Sequence, residues 1–350
     1  MDIREIAKRA RVSTATVSRT INRIPTVNAQ LAKRVWSVID ELGYYPNTQA
    51  RALVSGRSRL FGLIAELTDP GFPEIIQTFG KLAVGRNYGI LLSPMIRDPR
   101  LLETAARQMI ERRIDGVAIL GSSVEPVLID IFTSRKVPVV AIDVDSIGSL
   151  LLPVQIDYQH GIRQAVQHLA ALGHTRIAFV SGPAHLKTAV TRKQTFHACM
   201  EGIDLATRPE MLIEGDNTMV GGAQAVSALM SLSSRPTAVV CSNDLTAIGA
   251  MHKACELSVN IPRDLSMVGI DDIPSAQCMT PPLTTVQIPQ NQIARIAFQA
   301  LLDLAEPGFR GDSRPILAIK PNLILRSSTT LAPGRISSTA KRSWLQPADK

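Results

Sequence analysis

Cysteine, long apolar runs and common catalytic motifs are scarce or missing in this sequence of 350 residues. The four cysteines are far apart, and none forms a C-x-x-C pair (Cys199, Cys241, Cys255 and Cys278). We therefore expect small buried side chains in a reducing compartment rather than disulfides or zinc ligands. No run approaches the roughly 18–20 apolar residues that cross a bilayer, and the N-terminus does not resemble a secretory signal. These absences predict a cytoplasmic protein with no membrane partner.

Enzyme signatures are also missing. The sequence contains no G-x-G-x-x-G, no P-loop, no G-x-S-x-G and no H-E-x-x-H. Three of the scattered histidines are expected on or just beyond helix surfaces rather than around a metal: His160, His168 and His174. Four carboxylates at strand ends are expected to cap helices or to accept bonds from ligand hydroxyls: Asp143, Asp145, Asp271 and Asp272. We therefore predict no catalytic residue, no metal and no cofactor.

The formal net charge of +8 is unevenly distributed. Residues 1–59 hold 11 lysines and arginines against 4 acidic residues, and residues 333–350 are also basic. The stretch between them is close to neutral. A basic head on a near-neutral body is typical of a polyanion-binding module joined to other domains. A chain of this length suggests two or three domains.

Two short amphipathic helices are predicted in the basic head. Residues 3–10 place apolar side chains on one helical face. Ser13 can cap a second helix, on which Val17 and Ile21 pack against the first. The outer face of this second helix is made of small hydroxyls, one methyl and one long donor: Thr14, Ala15, Thr16, Ser18 and Arg19. Such a face suits a helix that enters a DNA major groove, although an ordinary helical hairpin remains an alternative.

A third helix is predicted over about residues 29–42. Asn28 is a plausible cap, Gly43 is the stop, and Trp36 is assigned to the apolar stripe. The three helices would form a small compact unit that includes a tryptophan in its core.

The following segment, residues 47–58, is predicted to be a short hinge helix. Seven helical residues are too few for a stable isolated helix, so the segment is expected to fold on a surface. Ala50 and Leu53 form a small apolar edge, and a leucine such as Leu53 can open a base step in the minor groove. A plain flexible linker is the alternative.

From residue 60 onwards, apolar runs alternate with amphipathic helices. This alternation predicts parallel sheets covered by helices on both faces, in two doubly wound subdomains formed one after the other. Open sheets of this kind bind ligands beyond the carboxyl ends of their strands. Asn243 and Asp271 each follow a strand, and Thr188 and Arg192 lie four residues apart on one helix. Arg192, Asn243 and Asp271 supply the donors and acceptors that polyols need.

Several motifs together resemble the lactose-repressor (LacI/GalR) family from residue 2 to about residue 330. They are Val12-Ser-Thr-Ala-Thr-Val-Ser-Arg19, Leu42-Gly-Tyr-Tyr-Pro-Asn47, Gly173-His174, Ser242-Asn-Asp-Leu245, Val268-Gly-Ile-Asp-Asp272 and Thr280-Pro-Pro-Leu-Thr-Thr285. The resemblance implies an all-α helix-turn-helix headpiece with a hinge helix. It also implies an α/β core of two subdomains, similar to periplasmic sugar-binding proteins.

The resemblance also assigns roles by position. Thr14, Ala15 and Arg19 match base-reading residues, Asn22 matches a phosphate contact, and Leu53 matches the minor-groove wedge. Five residues match effector contacts: Phe72, Thr188, Arg192, Asn243 and Asp271. Departures from the family pattern occur at residues 68–71, at Thr195 and at Gln290, and they bear on the identity of the ligand rather than on the architecture.

The sequence therefore predicts a homodimeric transcriptional repressor that binds a pseudo-palindromic operator under the control of a small effector, a sugar or a related metabolite. Its expected parts are a headpiece (1–46), a hinge (47–58), an effector-binding and dimerisation core (59–332) and a disordered tail (333–350). A periplasmic-type solute receptor and an enzyme on the same scaffold are the alternatives. The receptor would have an export signal and no basic head, and the enzyme would show turnover of a sugar.

Overall fold

The computed structural model describes residues 2–22, 24–44, 56–67, 70–96, 98–121, 124–145, 148–305 and 317–333. Ala50 and Leu53, with most of the expected hinge and nearly all of the expected tail, lie outside the described residues. Three helices come first: α1 (Ile3–Ala10), α2 (Thr14–Ile21) and α3 (Ala29–Glu41). Their bounds agree with those expected from the apolar spacing.

The starts of α2 and α3 are capped as the sequence predicts. Ser13 Oγ accepts the Thr16 N–H at 3.1 Å, and Asn28 Oδ1 accepts the Gln30 N–H at 2.8 Å. Each bond satisfies one of the backbone donors that the first turn of a helix leaves without a partner.

The end of α3 is a Schellman motif. Gly43 has a φ of +56°, its N–H donates to Asp40 O at 3.2 Å, and the Tyr44 N–H donates to Ile39 O at 3.0 Å. Glycine adopts this left-handed conformation without the steric cost of a Cβ atom, which explains the stop at this position.

The headpiece core is aliphatic, and the expected place of Trp36 is wrong. Ile6, Val17 and Val35 have no exposed surface, whereas Trp36 is 37% exposed. Consecutive residues of an α-helix point about 100° apart, so Trp36 turns away from the buried face that Val35 and Ile39 define.

The α/β core, the part of the chain predicted to bind the effector, begins at β1 and contains two sheets flanked by helices. Its strands are β1 (Leu60–Ala65), β2 (Gly89–Pro94), β3 (Gly116–Leu120), β4 (Val139–Ile142), β5 (Leu151–Ile156), β6 (Ile177–Ser181), β7 (Leu212–Glu214), β8 (Ala238–Cys241), β9 (Ser266–Asp271), β10 (Thr284–Gln287), β11 (Leu317–Ile319) and β12 (Asn322–Ile324). Its helices are α4 (Phe72–Gly85), α5 (Pro99–Glu111), α6 (Pro126–Thr133), α7 (Tyr158–Ala171), α8 (Lys187–Glu201), α9 (Met219–Ser231), α10 (Asp244–Glu256) and α11 (Gln290–Ala305).

The two sheets are parallel, as expected, but the chain crosses between them more than once. The first sheet has the strand order β11-β5-β4-β3-β1-β2 and the second β12-β10-β9-β8-β6-β7, and among the described strand pairs only β10–β12 is antiparallel. The chain passes to the second sheet after β5, returns with α11 and β11, and leaves again with β12. The expectation of two subdomains formed simply one after the other was therefore wrong.

Most of the strands and helices that were not predicted are those that complete these crossings. They include β5, β10 and α11. β10 reads Thr-Thr-Val-Gln, so its own pattern carries little apolar signal, and it is buried because it lies between β9 and β12. Tertiary pairing, rather than local composition, makes it a strand.

The cysteine expectation holds for two of the four residues. Cys199 and Cys241 are buried, whereas Cys255 on α10 and Cys278 at the end of a short 3-10 helix are exposed. No disulfide joins them. In the part of the chain that the structure describes, no helix is both long and apolar enough to cross a membrane.

Candidate nucleic-acid interface and effector cavity

The helix α2 has one buried and one solvent-facing side. Val17, Thr20 and Ile21 are buried against the other helices. The predicted DNA-binding residues of this segment are all exposed or half-buried: Ser13, Thr14, Ala15, Thr16, Ser18, Arg19 and Asn22. The helix thus presents hydroxyls, a methyl group and one guanidinium to solvent, which is the chemistry that base edges and phosphates accept.

Hydrogen bonds within α2 hold several of these polar side chains in place. The hydroxyls of Ser13 and Thr16 lie 2.9 Å apart, and Asn22 Nδ2 donates to Ser18 Oγ at 3.4 Å. The buried Thr20 hydroxyl donates to Thr16 O at 2.9 Å. The exposed face is therefore preorganised, and the base-reading and phosphate roles assigned to it remain predictions.

A cavity of about 290 Å³ lies between the two subdomains, at the carboxyl ends of the strands. This is the position that open α/β sheets favour for ligands. All five predicted effector contacts line it: Phe72, Thr188, Arg192, Asn243 and Asp271. Gln290, which departs from the family pattern, lines it as well. The structure thus brings together five predicted contacts that are up to 199 positions apart in the sequence, from Phe72 to Asp271.

Arg192 is the central cation of the cavity. Its Nη1 donates to Ser242 O at 2.5 Å and its Nη2 lies 3.3 Å from Asp271 Oδ1. The guanidinium carbon also lies 4.8 Å from the centroid of the Tyr158 ring. These contacts compensate the charge and fix the orientation of a side chain that is 13% exposed.

Asp271 and Asp272, at the end of β9, have strained backbone conformations. Their φ angles are +117° and +61°, a region that residues with a Cβ atom rarely adopt. Asp272 is held by Arg326 Nη2 at 2.5 Å and by Gln287 Nε2 at 2.8 Å. The two carboxylates therefore differ in role: Asp272 stabilises the turn, and Asp271 faces the cavity.

Asn243 both caps a helix and lines the cavity. Its Oδ1 caps α10 by accepting the Thr246 N–H at 2.9 Å, and its Nδ2 donates to Asn217 O at 3.0 Å. The side chain also lines the cavity. Any ligand contact by Asn243 must use hydrogen-bonding capacity beyond these two bonds.

Asp143 and Tyr158 form a polar pair that sequence reasoning did not assign to the site. Asp143 accepts the Ile156 N–H at 2.9 Å and the Tyr158 hydroxyl at 2.8 Å, and both residues line the cavity. Burial raises the pKa of Asp143 and of Tyr158 above their ordinary values. Asp143 was predicted, with three other strand-end carboxylates, to cap a helix or to accept from a ligand hydroxyl, and Tyr158 carried no signal because β5, which precedes it, was not predicted.

Lys187 spans the mouth of the cleft. Its Nζ lies 2.6 Å from Asp145 Oδ1 and donates to Asp143 O at 2.9 Å. Lys187 begins α8 of the second subdomain, whereas Asp143 and Asp145 follow β4 of the first. Asp145 thus joins the two subdomains rather than capping a helix.

His174 lies just beyond the end of α7, as expected, but it is buried rather than at the surface. His174 is 1% exposed, with Nδ1 at 2.9 Å from Thr237 Oγ1 and Nε2 at 3.0 Å from Thr330 O. Its burial lowers its pKa below the ordinary value. The buried ring therefore links the second sheet to the segment that follows β12 through these two hydrogen bonds. Across the described ranges, no cluster of three or more His, Cys, Asp or Glu side chains could hold a metal ion.

A helix-turn-helix headpiece, joined to a two-subdomain core that encloses a polar cavity, defines a ligand-responsive DNA-binding regulator. Residues 2–47 match the family described as bacterial regulatory proteins of the lacI family, and residues 166–329 match a periplasmic binding protein-like domain. The HTH-type transcriptional repressor PurR of Proteus mirabilis (strain HI4320) is 31% identical over 334 residues, covering 95% of this chain and 97% of the relative. PurR of Escherichia coli O1:K1 / APEC is 31% identical over 336 residues, covering 95% and 98%.

Solved structures agree with these sequence matches. The lac repressor dimer bound to operator and the anti-inducer ONPF has a TM-score of 0.82 at 25% identity, covering 94% of this chain and 99% of that chain. The transcriptional regulator CelR in complex with cellobiose has a TM-score of 0.70 at the same identity and coverage. The chain belongs to the LacI family of bacterial regulatory proteins. It is a DNA-binding transcriptional repressor and not an enzyme.

Proposed function

We propose that this repressor is a cytoplasmic homodimer whose affinity for a pseudo-palindromic operator is controlled by a neutral, hydroxyl-rich effector, a sugar or a related metabolite. The effector binds in the cavity between the two subdomains. The observation that carries this proposal is the composition of the cavity wall, in which Arg192, Asn243 and Asp271 of the second subdomain face Phe72 and Asp143 of the first.

The charges around the cavity support a neutral ligand. Its described lining contains four carboxylates and one guanidinium: Glu66, Asp143, Asp216, Asp271 and Arg192. Because Arg192 already pairs with Asp271, an incoming phosphate or carboxylate would meet an excess of negative charge. Ligand hydroxyls, in contrast, can donate to carboxylates and accept from the guanidinium.

The apolar part of the lining suits the faces of a sugar ring. Phe72, Ile75 and Tyr158 line the cavity beside the polar residues. A cavity of about 290 Å³ is near the lower limit for small-molecule sites. A monosaccharide-sized effector is therefore favoured over a larger one.

On the DNA side, we assign the solvent-facing residues of α2 to the operator. Arg19 would read a guanine, Thr14 and Ala15 would contact base edges, and Asn22 would hold a phosphate. Two copies of this helix, related by two-fold symmetry, would require two half-sites. Ala50 and Leu53 complete the proposed contacts in the minor groove.

A thermal-shift screen of neutral sugars, nucleosides, sugar phosphates and sugar acids tests the effector class. A ligand that binds only the native state raises the apparent melting temperature. We expect a neutral sugar to raise it and Arg192→Ala to abolish the rise. Lys193→Ala, which removes the neighbouring charge outside the cavity, is the matched control. A response only to phosphorylated or acidic compounds would contradict the proposed neutral effector.

A further inference from the structure

The chain enters the first sheet at a carboxylate that holds two consecutive backbone amides. Asp115 Oδ1 accepts the Ser58 N–H at 2.8 Å and the Ser58 hydroxyl at 2.9 Å, and Oδ2 accepts the Arg59 N–H at 3.0 Å. Arg59 has a φ of +55° there. Asp115 immediately precedes β3, which is paired with β1. The carboxylate thus fixes how residues 56–59 leave the sheet, at the edge opposite the cavity.

The next residue towards the headpiece contacts the end of α11. Arg57 Nη2 donates to Ala305 O at 2.5 Å, and Ala305 is the last residue of α11. A guanidinium at this position satisfies a terminal carbonyl and complements the helix dipole. Arg57 also hydrogen-bonds the Tyr88 hydroxyl.

Aromatic packing joins the same region to the middle of α11. Tyr88 stacks on Phe61 of β1, with ring centroids 4.2 Å apart. Phe298 of α11 meets Phe61 edge-on at 5.8 Å and Phe79 of α4 at 5.3 Å. Since close-packed interiors have low compressibility and transmit strain, we expect a shift of α11 to be passed to the start of β1.

The other end of α11 is part of the cavity. Gln290 and Ile293 line it, and the Ile288 N–H donates to the backbone oxygen of Asp271 at 3.4 Å. The helix has 16 residues, which corresponds to about 24 Å. It therefore extends from the cavity to the contact with Arg57.

At its cavity end, α11 is also tied to α4. Asn291 accepts from the Thr78 hydroxyl and donates to Glu74 Oε1 at 2.5 Å. Because Phe72 and Ile75 at the start of α4 also line the cavity, ligand contacts with either helix reach the same pair of elements. The two helices thus form one unit at this wall.

We propose that Arg57 and Asp115 are positioning residues that transmit a conformational change at the cavity to the DNA-binding headpiece. Helix α11 connects the cavity to these two residues. A shift of the second subdomain moves the start of α11, and Arg57 at its end passes the shift to the segment that leads to the headpiece. This inference rests on the proposed effector control and adds the residues that carry it.

Locking the cleft by chemistry tests the proposal without an identified effector. The exposed thiols are first removed with Cys255→Ser and Cys278→Ser. Asp145→Cys and Lys187→Cys then place two thiols across the cleft mouth, where the native side chains lie 2.6 Å apart. A short bis-maleimide joins the thiols, and the same protein capped with N-ethylmaleimide is the unlocked control. Affinity is measured by anisotropy on a duplex selected from random DNA with the wild-type protein.

We expect locking to change the dissociation constant of the duplex at least fivefold. Adding Arg57→Ala or Asp115→Asn should reduce that change to less than twofold, because each removes part of the connection. Arg59→Ala, which removes the charge of an adjacent exposed side chain, should leave the fivefold change intact. If Arg57→Ala lowers the melting temperature, Arg57→Lys, which keeps the charge but not the forked donors, should give an intermediate change.

The outcomes separate this inference from the proposed function. A fivefold change that persists in the Arg57 and Asp115 variants overturns the connecting role and leaves effector control in place. If cross-linking changes the dissociation constant of the duplex in none of the protein forms, the inference is overturned. The thermal-shift screen then decides independently whether the cavity binds a neutral sugar.

Discussion

The headpiece and the cavity present polar side chains in opposite ways. The headpiece displays seven candidate residues within the ten positions from Ser13 to Asn22, on one helix that its own cap and apolar face orient. The cavity collects its residues from both subdomains and from chain segments as distant as residues 66 and 293. The headpiece surface is therefore determined locally, whereas the cavity depends on the complete core.

The two regions also differ in how they treat charge. The headpiece leaves Arg19 exposed, where it can meet a phosphate or a base. The cavity buries Arg192 and compensates it with Asp271, the Ser242 carbonyl and the Tyr158 ring. An exposed cation favours long-range attraction to a polyanion, and a buried, compensated one favours recognition of a small neutral molecule by geometry.

The largest predicted effect is on the stability of the core, and it comes from one buried carboxylate. Asp244 has no exposed surface, and it accepts the Thr285 hydroxyl at 2.5 Å and the Ile273 N–H at 2.9 Å. Gly269 leaves room for it, since a Cβ atom there would collide with its Oδ1. Burial outweighs these bonds and raises the pKa of Asp244 to about 7.

The folded core should therefore lose stability as the pH rises. Between about pH 4 and pH 7 the folded state keeps a proton on Asp244 that the unfolded state has released, so the free energy of unfolding falls through this window. The loss is on the order of 4 kcal/mol. Asp244→Asn should remove it in urea titrations of the core, and Asp130→Asn, at an exposed position of α6, should not. An unchanged slope in Asp244→Asn would refute this assignment.

A smaller effect is expected from the core of the headpiece. Ile6→Ala removes a fully buried side chain from a small cluster, at a cost of about 3 kcal/mol. Because so small a unit has little stability in reserve, the headpiece should unfold and operator binding should be lost. Calorimetry should show the core transition unchanged. A common downward shift of both transitions would mean that the two regions are not independent.

The smallest effect is expected from the cap of α2. Ser13→Ala removes the acceptor of the Thr16 N–H and should lower headpiece stability by about 1 kcal/mol. The measurement is made without DNA, so that a lost phosphate contact cannot contribute. Ser18→Ala on the same helix is the control, because it leaves the N-terminal cap intact and removes only the 3.4 Å acceptor of Asn22 Nδ2. Equal losses in both variants would show that the cap does not determine the position of α2.

Local signals account for most of what could be predicted. Caps at Ser13 and Asn28, the stop at Gly43 and the period of the apolar residues locate the headpiece helices to within a residue or two. Trp36 shows the limit of these local signals. An apolar side chain beside the buried stripe cannot be distinguished from one within it until the neighbouring helices are placed. Strand ends and helix spacing pointed to Thr188, Arg192, Asn243 and Asp271, the resemblance to the family added Phe72, and the structure brings all five to one cavity.

What the sequence by itself determined was the basic three-helix head, the alternation of strands and helices, and the chemistry of the side chains that follow the strands. Only the tertiary structure decided that α11 and β11 return to the first sheet, that Asp143 and Tyr158 share the cavity, and that Asp272 is held by Arg326 and Gln287. The physical reason is the distance along the sequence over which each kind of interaction acts. Helix caps and apolar periods act over four residues, whereas sheet pairing, burial and strained turns depend on partners that the chain brings together from far apart.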